Sequence, residues 1–174
     1  MSDSFLHESI DVLARTPAVL NALLGGLPDS WIHAVDGPGT WSPHVIVGHL
    51  NHGERTDWMK RLAIILEHGP NLPFEAFDRE AQLKQEDLKT MDELLYEFTH
   101  LRTGNLKTLG EFCLTGEQLE LQGTHPALGC VTIRQLVATW TAHDLTHIVQ
   151  ISRTMARRYR GEVGPWAEYL SVMK

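Results

Sequence analysis

Apolar residues recur at steps of three and four in four stretches of the chain, the spacing of one face of an α-helix. In the first stretch they are Leu6, Ile10, Leu13, Pro17, Leu20 and Leu24. Pro17 interrupts this ladder, so the stretch is predicted as one kinked helix or as two short helices, with Thr16 as N-cap of the second. The glycine pair at 25–26 is a typical helix end.

The other three stretches carry local signals for helix starts. The second begins at Ser42-Pro43, a serine N-cap before a proline at the first helical position, and is predicted to continue to Gly69-Pro70. The third and fourth begin with capping boxes, Thr90 with Glu93 and Thr132 with Gln135.

The ladder of the second stretch is Val45, His49, His52, Thr56, Met59, Ala63 and Leu66. That of the fourth is Ile133, Leu136, Trp140, His143, His147, Ile151 and Met155.

Four amphipathic segments joined by Gly- and Pro-rich loops predict an all-α fold, a four-helix bundle of the up-and-down type with long connecting loops. No alternating strand pattern is evident, and the break at 115–131 is predicted as a loop. Residues 1–174 are expected to form one domain, because compact domains usually contain about 100–200 residues. The tail at 161–174 is expected to pack on the bundle.

Histidines on the apolar ladders are the candidate chemistry. His143 and His147 are four residues apart, so they share a helix face with Cβ atoms roughly 5–6 Å apart and can bind one metal ion. His49 and His52 lie on the ladder of the second segment. A buried imidazole is costly unless its nitrogens find partners, and a shared cation would supply them. The pattern predicts a histidine metal site on two helices, and three ligands would leave a position open for substrate.

Several residues near this pattern have alternative interpretations. His52 has three interpretations. It is a fourth metal ligand, a residue that hydrogen-bonds to another ligand and orients it, or a buried polar residue without a role at the metal. HDLTH also resembles the H-E-x-x-H motif of metalloproteases, with Asp144 in place of glutamate. We expect Asp144 to lie at the helix surface or an interface, and Cys113 and Cys130 to be packed in the interior.

Composition narrows the class of partner. The 174 residues include 15 Lys and Arg against 22 Asp and Glu, a net charge of −7, which disfavours a nucleic acid as the main partner. No stretch approaches the ~20 apolar residues of a membrane span, and the first residues lack the basic region of a secretory signal. We therefore expect a cytoplasmic protein without a membrane partner.

Two blocks of sequence resemble the DinB/YfiT-like superfamily. They are PGTWSPHVIVGHLNHGERTDWMKRL and HPALGCVTIRQLVATWTAHDLTHIVQISR, and the resemblance extends to RTPAVLNALLGGLPDSW and GPWAEYL. It covers nearly the whole chain, with residues 70–90 the least typical. It implies a four-helix bundle in which His49, His143 and His147 hold a divalent metal ion, commonly zinc or nickel. His52 stands where the family more often has Asp or a small polar residue.

The resemblance also implies a function. The implied protein is a metal-dependent enzyme that acts on a small molecule. It would be either a hydrolase or an S-transferase that uses a low-molecular-weight thiol, and it would form a homodimer. Glu54, which matches a frequent acidic position of the family, and His52 are the candidates for proton transfer or for supporting the metal ligands. The alternatives are a non-catalytic metal-binding stress-response or structural protein, and a helical interaction protein with buried histidines.

Overall fold

The computed structural model of the chain describes residues 4–85 and 89–174. In these ranges it contains α1 (Ser4–Leu13), α2 (Thr16–Leu24), α3 (Asp29–Ile32), α4 (Pro43–Thr56), α5 (Trp58–His68), α6 (Ala81–Gln85), α7 (Met91–Glu111), α8 (Gly116–Leu119), β1 (Gln122–His125), β2 (Gly129–Thr132) and α9 (Ile133–Arg157). The four predicted helical segments correspond to α1 with α2, α4 with α5, α7, and α9. None of these helices has the length and apolar composition of a membrane span.

The first predicted segment is two helices rather than one kinked helix. Thr16 is not the N-cap, since that position belongs to Arg15, which makes no capping bond through its side chain. The hydroxyl of Thr16 instead donates to Asp144 Oδ2 over 2.6 Å. A buried tertiary partner has therefore replaced the local cap that the sequence predicted.

The other predicted helix starts are confirmed. Ser42 Oγ accepts a hydrogen bond from the backbone of Val45. Both capping boxes are formed, at Thr90 and at Thr132. The second segment is not continuous, however, because the backbone turns at Asp57 and separates α4 from α5.

The bundle encloses two apolar clusters of buried side chains. One includes Trp58, Leu62, Ile65 and Trp140, and the other includes Leu20, Ile46, Leu94, Phe98 and Ile151. The 3-10 turn Ser171–Met173 in the tail contacts α9, as expected. The tail aromatics stay outside the core, since Trp166 is 71% exposed and Tyr169 is 83% exposed.

A short antiparallel hairpin stands where the sequence predicted only a loop. In it β1 pairs with β2 from Gln122 opposite Thr132 to His125 opposite Gly129. Four-residue strands that contain glycine at 123 and 129 are too short and too weakly apolar to give an alternating signal. The Phe74 amide donates to Thr124 O over 2.9 Å, so the hairpin also anchors the segment after α5.

The hairpin rests on the bundle through Gly123. A Cβ atom at this position would lie 2.6 Å from Ile65 Cγ1 and 2.9 Å from Phe74 Cζ. Only a residue without a side chain allows the strand to pack this closely on α5.

Gly123→Ala should therefore lower the free energy of unfolding by about 1–3 kcal/mol through overpacking. Gly110→Ala is the matched control, because a Cβ there meets nothing within 4 Å and alanine favours the helix. Urea denaturation of both variants measures the difference. Equal stability of the two would contradict the proposed close packing.

Candidate metal centre

Three histidines from two helices meet at one point. His49 comes from α4, and His143 and His147 lie one turn apart on α9. Their candidate ligand atoms all lie within 4.8 Å of one another. His143 Nε2 is 3.1 Å from His49 Nε2 and also 3.1 Å from His147 Nε2.

These distances suit a shared cation better than hydrogen bonds among the rings. Each Nε2 carries either one proton or one lone pair in the ring plane, so His143 Nε2 cannot make two good hydrogen bonds at once. Nitrogens bound to one tetrahedral ion at about 2.0–2.1 Å would lie about 3.3 Å apart. The observed separations are close to that value, and the three residues could hold a metal ion.

The environment keeps the three rings neutral, which is the form that binds metals. Burial, followed by the charge of His147, lowers the pKa of His49 to about 4. Burial, followed by the charges of His147 and His49, lowers the pKa of His143 to about 3. Burial also lowers the pKa of His147.

Gln150 fixes the orientation of one ring. His147 Nδ1 donates to Gln150 Oε1 over 2.9 Å, which leaves the lone pair of Nε2 directed toward the other two histidines. Gln150 was not among the predicted site residues. Its position three residues after His147, one helical turn away, is the signal that could have identified it.

The histidine cluster lines a cavity of about 570 Å³ with largely aromatic walls. The Trp41 ring centre lies 4.9 Å from that of His49, and Trp58 meets His143 edge-on at 5.2 Å. Other lining residues come from the segment after α5, from the hairpin and from α9: Phe74, Phe77, Arg79, His125, Leu128, Val131, Gln135, Leu136 and Thr139. Trp41 therefore lies at the site itself, in addition to preceding the N-cap of α4.

Glu54 lies beside the cluster in sequence but points into the bundle. Its Oε1 accepts from Arg102 Nη2 at 2.8 Å and from Trp140 Nε1 at 2.9 Å. Its Oε2 accepts from Asn105 Nδ2 at 2.9 Å. The carboxylate is buried, and each of its oxygens has a protein partner.

Asp144 also binds Arg102. The prediction that Asp144 lies at the surface is wrong. It is fully buried, and its two oxygens accept from Arg102 at 2.6 and 3.0 Å. Arg102, which is 1% exposed, joins α7 to α4 through Glu54 and to α9 through Asp144. The sequence analysis missed it, although two acidic residues on buried helices require a cation nearby.

His52 does not join the cluster. Its ring lies against Phe77, with centres 4.9 Å apart, and its Nε2 is 3.4 Å from Thr56 Oγ1. It lines a second, smaller cavity of about 220 Å³.

The prediction that the cysteines are packed in the interior is wrong, because Cys113 and Cys130 are both exposed.

The fold and the site define a helical bundle protein with a three-histidine cluster, and the sequence assigns it to a family. The sequence model of the DinB superfamily matches residues 13–151, so the chain belongs to the DinB superfamily. No curated protein matches the chain.

One similar solved structure is that of YfiT from Bacillus subtilis, described as a probable metal-dependent hydrolase with an unusual four-helix bundle topology. It is 22% identical to this chain, with a TM-score of 0.76 over 92% of this chain and 90% of that one. The similarity confirms the predicted four-helix bundle.

Arg102→Met should lower the free energy of unfolding by about 3–5 kcal/mol, because it leaves two buried carboxylates without their cation. Lys107→Met is the control on the same helix, at a position where the lysine side chain is 77% exposed. Thermal and urea denaturation measure both. A loss at Arg102 no larger than the loss at Lys107 would show that the buried ion pairs do not hold the helices together.

Proposed function

We propose that the chain binds one divalent metal ion through His49, His143 and His147 and is a metal-dependent hydrolase that acts on a small molecule. The observation that supports this most is the convergence of three imidazole nitrogens on the wall of an open cavity. The description of YfiT as a probable metal-dependent hydrolase agrees with it.

The open side of the cluster favours catalysis over a purely structural metal. A structural zinc site is closed by four protein ligands, whereas a catalytic site has three and leaves one position for water or substrate. His52, the candidate fourth ligand, lies against Phe77 in the other cavity. Zinc and nickel both suit three imidazoles, and we propose one of them.

When bound, such an ion lowers the pKa of a coordinated water toward ~7 and polarises a carbonyl or phosphoryl group. The chain would supply the orientation and the dry surroundings. Gln150 holds the His147 ring in place, and Trp41 and Trp58 pack against the ligand rings and limit the access of bulk water.

Proton transfer by His52 and Glu54 remains a prediction. For Glu54 we propose a different role. Its carboxylate binds Arg102, Trp140 and Asn105, so its role would be to position α4. Asp57 is the carboxylate that lines the cavity within the described residues, and burial raises its pKa. Asp57 is therefore better placed than Glu54 to face a bound molecule.

Purified without a histidine tag, the protein should contain about one equivalent of zinc or nickel. His143→Ala should lose it because two imidazoles remain, and His100→Ala, at an exposed histidine of α7, should keep it. Inductively coupled plasma mass spectrometry measures the content. Unchanged metal in His143→Ala would show that the cluster is not the binding site.

The same samples test the reaction. Hydrolysis of a panel of aryl esters and anilides should disappear after chelation and return with added zinc or nickel. Parallel assays with glutathione and a chloro-nitroaromatic acceptor test the thiol-dependent S-transfer that the family resemblance implies. Metal binding without either activity would favour the non-catalytic alternative.

Gln150→Leu should weaken metal binding about 10–100-fold, because His147 loses the acceptor that fixes its tautomer. Gln150→Glu keeps an acceptor and should retain the affinity, and Gln122→Leu is a control at an exposed glutamine of the hairpin. Competition with a chromophoric chelator at fixed pH measures the constants. Wild-type affinity in Gln150→Leu would rule out this positioning role.

A further inference from the structure

The cavity beside the histidine cluster carries one more positive than negative side chain, although the whole chain has a net charge of −7. Its charged lining residues are Asp57, Arg61 and Arg79. Asp57 and Arg61 neutralise each other, with Arg61 Nε 2.6 Å from Asp57 Oδ1. The Arg61 guanidinium also lies 5.2 Å from the ring centre of Phe74, so it is held against the wall.

Arg79 has no such partner among the residues that the structure describes. Within 4–85 and 89–174 no carboxylate forms an ion pair with it, and it lies in the segment between α5 and α6. Phe77, two residues earlier, meets the His49 ring edge-on at 5.5 Å, which places this segment on the His49 side of the cavity.

The rest of the wall is largely apolar, with His125, Gln135 and Thr139 as its polar members. Trp41, Trp58, Phe74 and Phe77 present ring surfaces, and Leu128 and Val131 of the hairpin and Leu136 of α9 add aliphatic surface. Such a surface favours a flat or bulky apolar group, since ring stacking and burial both stabilise it. One guanidinium that no described carboxylate pairs with favours a single anionic group, which it can bind through two parallel hydrogen bonds.

We infer that the substrate of this cavity is a small organic anion, an aromatic or bulky apolar body bearing one carboxylate or phosphate that pairs with Arg79. This inference rests on the proposed function, because it places the apolar body along the aromatic wall and the reacting bond at the three histidines. Arg79 would act as a specificity residue, since it touches the substrate away from the reacting atoms.

Matched ligands test the charge requirement. The probes are 3-phenylpropionate, phenyl phosphate and the neutral 3-phenylpropionamide, whose binding is measured by calorimetry and by the total tryptophan fluorescence, to which Trp41 and Trp58 in the wall contribute. Wild type should bind at least one of the anions about fivefold more tightly than the amide, the upper range for an exposed ion pair. Because exposed charges are screened, the preference should shrink in 0.5 M salt.

Variants locate the cation. Arg79→Gln should abolish the preference for the anion and leave binding of the amide unchanged, whereas Arg79→Lys should retain part of the preference. Arg160→Gln, at an exposed arginine beyond α9, should behave as wild type. Equal binding of anion and amide by wild type, an unchanged preference in Arg79→Gln, or no binding of any probe would each overturn the inference.

Chelator-treated protein separates this inference from the proposed metal function. A preference that survives chelation and disappears in Arg79→Gln supports the role of Arg79 whether or not the histidines hold a metal. A preference that disappears on chelation but survives in Arg79→Gln assigns the anion to the metal and overturns the role of Arg79. The larger of the two anion affinities identifies the head group.

Discussion

The guanidinium of Arg102 fixes the relative positions of the two helices that carry the histidines. Through its ion pairs it binds Glu54, five residues after His49 on α4, and Asp144, the residue that follows His143 on α9. It also donates to the Leu13 carbonyl at the end of α1. Each contact lies beside a histidine or at a helix end, so a shift of Arg102 would change the separation of the three imidazoles.

This arrangement depends on the pairing of the two terminal nitrogens of Arg102. A buried charge is costly, and it is offset here because Nη1 and Nη2 both donate to buried acceptors, although Nε has no partner among the described residues. Arg102 also lies between the two apolar clusters, 4.8 Å from the ring centre of Phe98 and 5.2 Å from that of Trp140. The polar network therefore occupies the junction of the apolar clusters, where it joins α7 to α4 and to α9.

The parts of the fold that the sequence predicted are those with local causes. Capping boxes and the Ser42 N-cap join residues three apart, and the His143–His147 pair lies within one helix turn, so spacing alone is informative. The Arg102 network joins residues more than 40 positions apart, and nothing in the local pattern distinguishes a buried arginine from a surface one. The hairpin was missed for a related reason, since its position depends on the space left at Gly123 above Ile65 and Phe74.

The cavity wall and the histidine cluster are built on different parts of the chain. The histidines stand on the long helices α4 and α9, whereas much of the wall comes from the hairpin and from the segment that includes Phe74, Phe77 and Arg79. That segment is tied to the hairpin by the bond from Phe74 to Thr124, and it meets the cluster through Phe77, which lies edge-on to His49. Related bundles could thus diverge in ligand choice through insertions and exchanges in these two connectors, while the same helical frame is inherited unchanged.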